Sequence, residues 1–126
     1  MKLFLAVSAV LAFIFGVALL FASSSFYAPM GIVVTPAIAV TAQAQGAILV
    51  GLGLLNWTAR SLSDRAVRPV LLGNLVVQVL SFAVIARALV LQIVPSQNAA
   101  ALVIHTLLGI GFAYFLAKSM RTRVVV

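Results

Sequence analysis

Residues 81–94 read SFAVIARALVLQIV, and Arg87, set inside that apolar run, is the side chain whose chemistry most needs an answer. A guanidinium at the centre of a membrane helix costs roughly 2.5–3.5 kcal/mol on insertion scales, so it must meet a partner or reach water. The chain has one carboxylate, Asp64, and one histidine, His105. Arg87 lies nine residues before Ser96 and His105 nine after it. A helical hairpin turning at Ser96 therefore sets the two at equal depth, about 10 Å below its outer end at 1.5 Å per residue. A neutral imidazole there would accept a hydrogen bond from the guanidinium.

Three readings of Arg87 stay open. It reaches outward along its stem to lipid phosphate or water; it bonds to His105, a backbone carbonyl or a neighbouring subunit; or it answers an anionic ligand or lipid headgroup, assisted by His105, Gln78 and Gln92. Asn74, Gln78, Ser81 and Gln92 share one stripe at helical spacing. That stripe is expected to face protein, with Arg87 roughly opposite, which favours the outward reach.

Other site chemistry is largely excluded. A lone histidine supplies neither a metal shell nor both axial ligands of a haem, unless copies meet across an oligomer axis. No cysteine is present, so thiolate, disulfide and iron–sulfur chemistry are absent. A single carboxylate rules out paired-carboxylate catalysis and acidic proton relays. No serine, threonine or tyrosine stands by spacing beside a histidine–carboxylate pair, and there is no HExxH or phosphate-binding loop. Lys2 and Lys118 sit at the ends of apolar segments, not inside them. The expectation is a protein without catalytic residues, metal or cofactor.

These residues must be positioned by a membrane fold. A chain of 126 residues that is 65% hydrophobic and 7% charged cannot cover a soluble globule with polar surface. Its net charge of +7 does not point to nucleic acid, because the basic residues gather at the ends of apolar segments instead of forming a face. Four stretches, near 3–22, 42–59, 69–94 and 97–117, have the roughly 20 residues needed to cross about 30 Å of hydrocarbon. Lys2 ahead of the first stretch and the serines after Ala22 resemble a secretory signal, but the apolar core is too long for one, so a retained span is expected.

Lys2, Arg60, Arg65, Arg68, Lys118, Arg121 and Arg123 fall on one side of this threading, and only Arg87 does not. The positive-inside bias then places both termini and the 60–68 loop in the cytoplasm. Pro69 suits a helix start, and Pro95 with Ser96 ends one span and caps the next. The Asn56-Trp57-Thr58 glycosylation triplet falls near the cytoplasmic face and carries no meaning there. The outer connection, residues 23–41, is too apolar for a solvated linker and is expected on the bilayer surface or folded over the bundle.

Helix packing in lipid depends on close backbone approach and interhelical hydrogen bonds. Small-residue ridges run along Ser8, Ala12 and Gly16, along Ala47 and Gly51, and along Ala101, His105, Gly109, Ala113 and Ala117. Asn56 and Asn74 lie nine residues either side of Arg65, so they are expected to bond across a hairpin for about 1 kcal/mol. Residues 49–60, LVGLGLLNWTAR, align with residues 107–118, LLGIGFAYFLAK, matching Gly51 to Gly109 and Trp57 to Phe115, as in a parallel two-hairpin repeat. The GLG stretch lacks the third glycine and the strand context of a dinucleotide fingerprint.

The stretch QGAILVGLGLLNWTARSLSDRAVRPVLLGNL, with its Trp-x-Ala-Arg ending and later Leu-Gly-Asn, resembles small uncharacterised bacterial membrane proteins of four spans. The resemblance implies a bacterial inner-membrane location and carries over no functional residues. Small multidrug transporters are similar in size and span number but rely on a membrane carboxylate, which argues against proton-coupled cation export here.

The sequence thus predicts an all-α, polytopic four-helix membrane bundle, one domain over residues 1–126, with both termini cytoplasmic. The expected function is non-catalytic: a structural or accessory protein that self-associates or joins a larger membrane complex. The second reading is binding or transport of a small anionic or amphipathic, lipid-like molecule through Arg87. Its expected partners are membrane lipids and further protein subunits, not nucleic acid.

Overall fold

The computed structural model describes residues 1–121, and among these the regular structure is entirely helical. Arg123 lies outside the described residues. In chain order the helices are α1 (Lys2–Phe21), a one-turn α2 (Ser23–Tyr27), α3 (Pro36–Ala59), α4 (Arg68–Val90) and α5 (Ala99–Arg121). All but α2 are long and apolar enough to cross a membrane, as a multi-pass membrane protein requires. Lys2, Arg60, Arg65, Arg68, Lys118 and Arg121 gather at one end of the bundle, called here the basic end.

The helix limits differ from the expected ones for local reasons. α3 begins at Pro36, six residues ahead of the expected 42. Thr35 is extended and its Oγ1 accepts the Ile38 N–H at 3.3 Å, while Pro36 takes the first position, where a missing donor is harmless. α4 stops at Val90 instead of 94. Gln92 adopts a left-handed φ of 55°, its N–H bonds to the Leu89 carbonyl at 3.0 Å, and the Ile93 N–H bonds to that of Ala88 at 2.8 Å. This is a Schellman ending built on glutamine, at a cost of about 1–2 kcal/mol relative to glycine. A short 3-10 turn, Ser96–Asn98, then leads into α5, which runs to Arg121, beyond the expected 117.

The closest helix pairs are α1 with α3 and α4 with α5, so the molecule is two hairpins side by side. Within the first, Ser8, Ala12 and Gly16 are all buried, but the ridge they meet is Ala42, Gly46 and Gly53. The predicted ridge is displaced: Ala47 and Gly51 are exposed, and the space around Gly51 is open. A Cβ on Gly46 would lie 2.7 Å from the Gly16 carbonyl oxygen and 2.9 Å from the Leu20 nitrogen, so the helices cross backbone to backbone. In the second hairpin Gly109 rests against Gln78, whose Cβ is 3.5 Å from where its own would be. Ala113 is exposed.

The hairpins join at the basic end, where Leu5, Ala59, Val67, Leu71 and Phe112 form the buried core. The Phe4 ring lies 4.9 Å from Phe112 and 5.1 Å from Phe115, and it also covers Gly111. Arg60 stacks over Trp57 with its guanidinium 3.4 Å from the ring centre. At the opposite end the connection between α1 and α3 folds over the bundle. Phe26 of α2 packs edge-on against Phe15, Gly31 turns with φ 70° beside Pro95, and the Asn98 side chain donates to the Met30 carbonyl at 3.3 Å.

The proposed sequence repeat finds no side-chain counterpart. Gly53 packs on Ala9 within its own hairpin, whereas its match Gly111 meets Phe4 of the other. Trp57 is 40% exposed, while Phe115 lines the core.

Candidate functional site

α4 carries the polar stripe, and its early end decides the geometry. Asn74 and Gln78 are buried, Ser81 is half-buried, and Gln92 lies past the helix end, exposed in the turn. Asn74 and Asn56 exchange amide hydrogen bonds of 3.0 and 2.8 Å, and Asn74 also donates to the Val70 carbonyl at 2.9 Å. This pair joins the two hairpins inside the bundle.

His105 and Arg87 are not level. Gly109 lies opposite Gln78, and His105 is one turn beyond Gly109 toward the far end. Arg87 is nine residues beyond Gln78, which sets it about 7 Å farther out than His105 at 1.5 Å per residue. The expected equal depth fails because α4 ends at Val90 and the hairpin's centre shifts toward that end. His105 bonds instead to Gln78, Nδ1 to Oε1, at 2.7 Å. With the Gln78 amide in this orientation Nδ1 carries the proton and donates to Oε1.

Arg87 sits in the last turn of α4, about 4–5 Å from its end, and is exposed. Among the described residues its guanidinium has no hydrogen-bond partner. A cation there opposes the negative end of the helix dipole favourably. The four residues expected to serve a ligand are therefore not one site: Gln78 and His105 meet, while Arg87 and Gln92 lie apart from them.

Gln78 and His105 border a shallow groove of about 280 Å³ between α4 and α5, with Phe82, Thr106 and Ile110 on its rim. A second hollow, about 650 Å³, lies at the far end beside Leu89, Gln92 and Pro95. Among the described residues no three His, Cys, Asp or Glu come together to hold a metal ion. Burial pushes the Tyr27 phenol above its ordinary range, so at neutral pH it remains an uncharged donor at the far surface.

No protein-family model, curated protein or solved structure matches this chain.

One interaction was not foreseen from the sequence. Arg68, placed there in the loop, opens α4, and its Nη2 donates to the Ser119 carbonyl in the last turn of α5. The side chain thereby caps the negative end of α5 and ties the two ends of the second hairpin together. The available signal was its position directly before Pro69, since an X-Pro pair at a span boundary marks a helix start.

Proposed function

We propose that this chain is a non-catalytic multi-pass protein of a bacterial inner membrane, with both termini cytoplasmic, that self-associates or serves as an accessory subunit of a larger membrane complex. The observation that carries this reading is where the interior polar groups go. Asn56 with Asn74, Gln78 with His105, and Arg68 with the Ser119 backbone carbonyl all bond helix to helix. Meanwhile α3 turns Ala47 and Gly51 outward, where another helix can approach closely. The gathering of basic residues at one end supports the orientation.

In nanodiscs formed directly from native membranes, the chain is expected to run as an oligomer or with a partner, measured by native mass spectrometry. A strictly monomeric, partner-free particle sinks the reading.

Arg87, exposed and without a hydrogen-bond partner among the described residues, favours a second role, contact with an anionic lipid headgroup at the far surface. Replacing neutral lipid with phosphatidylglycerol should then raise the melting temperature. Arg87→Ala should remove about 1 kcal/mol of that stabilisation, the usual worth of one basic residue at an anionic surface. An undiminished rise in the variant takes Arg87 out of headgroup recognition.

A further inference from the structure

We propose that the groove between α4 and α5 binds a neutral, hydrocarbon-tailed molecule whose head carries a carbonyl or hydroxyl group, held by Gln78 and His105. The polar pair lies deep in the bundle. Gln78 is ten residues from the start of α4 and twelve from its end, about 15 and 18 Å. A phosphate or carboxylate drawn to that depth would lose its hydration, so the head must be uncharged.

The hydrogen-bonding capacity fits such a head. Each partner has one group beyond the 2.7 Å bond that joins them. With Nδ1–H donating to Oε1, the amide NH2 remains as donor and imidazole Nε2 as acceptor. Turning the amide over exchanges the roles and still leaves one donor and one acceptor. A hydroxyl, including that of a quinol, can satisfy both, while a quinone carbonyl accepts from the donor alone.

The remaining wall is apolar and open to a lipid tail. Phe82, Val79 and Ile110 line the groove and are 40%, 57% and 64% exposed. Its volume of about 280 Å³ is near the lower limit of small-molecule sites, which suits one head with its tail outside. The proposal rests neither on self-association nor on Arg87.

Because His105 is the sole histidine, selective ¹⁵N-histidine labelling reports on this site alone. The labelled protein in phosphatidylcholine nanodiscs is titrated with decylubiquinone, with dodecanol and with dodecane. A saturable shift of the imidazole nitrogens is expected with one or both of the first two, and whichever gives it identifies the head. Dodecane should give none.

Gln78→Leu is expected to weaken the response about tenfold, the equivalent of one hydrogen bond. Ile110→Trp, which fills the groove while keeping both hydrogen-bonding side chains, should abolish it while leaving the circular dichroism melt unchanged. No saturable shift with either headed probe, an equal shift with dodecane, or a response surviving Ile110→Trp overturns the proposal.

Discussion

Gly46→Ala is expected to lower the stability of the folded chain by about 2–3 kcal/mol, while Gly51→Ala, on the same helix, leaves it unchanged or raises it by less than about 1. The substitution adds the same methyl group in both places. At Gly46 the new carbon falls 2.7 Å from the Gly16 carbonyl oxygen and 2.9 Å from the Leu20 nitrogen, both backbone atoms that no rotamer change can move. Relief requires α1 and α3 to separate along their whole crossing, forfeiting contacts at Ala12, Gly16 and Ala42. At Gly51 nothing lies within 4 Å, so only the small helix-propensity gain remains. Hydrophobic attraction between helices is weak in lipid, which makes this packing a large share of what holds the hairpin together. Unfolding of the dissociated, monomeric chain by denaturing detergent, followed through the single Trp57 on α3, separates the two variants. Equal responses would mean that α3 is rotated about its axis from the orientation described above.

Those two glycines also show what the sequence could and could not convey. Span number follows from hydropathy and length alone. Ser8, Ala12 and Gly16 were legible as a packing ridge because α1 offers one stripe of small residues. α3 offers several, at Ala42 and Gly46 as well as at Ala47 and Gly51, and spacing alone does not choose between adjacent stripes. The choice is made by α1, whose backbone fits only where Gly46 and Gly53 remove side chains from its path. Likewise Thr41, Gln43 and Gln45 interrupt the hydropathy of α3 and hide its first turns, although Thr35-Pro36 is a recognisable start.

The candidate site was less legible because it depends on one dihedral angle. Nothing in VLQIVPS requires the chain to leave the helix at Leu91, four residues ahead of Pro95. Once Gln92 turns left-handed, Arg87 moves from the expected 10 Å depth to the final turn, and the apparent buried cation becomes an exposed one at the helix end. The same shift takes His105 from Arg87 and gives it to Gln78.

The Asn56–Asn74 pair is expected to show positive coupling in a double-mutant cycle. Each alanine variant alone should cost about 1–2 kcal/mol, and the double variant should fall short of their sum by about 1. Both residues are 1% exposed, so removing either leaves the other's amide buried without its reciprocal partner. The second replacement then costs less, because that unpaired amide is already destabilising. Coupling at the upper end of the membrane range is reasonable, since two bonds of 3.0 and 2.8 Å act in parallel and Val70 fixes the Asn74 rotamer through a third. The loss should also be directional. This pair and the Phe4–Phe112 contact join the two hairpins toward the basic end, so each single variant should increase hydrogen exchange at Phe112 and Phe4 more than at Gly16, which is held within one hairpin. Strict additivity of the two substitutions, or exchange rising equally at Gly16, would place the joint between the hairpins somewhere other than at these two asparagines.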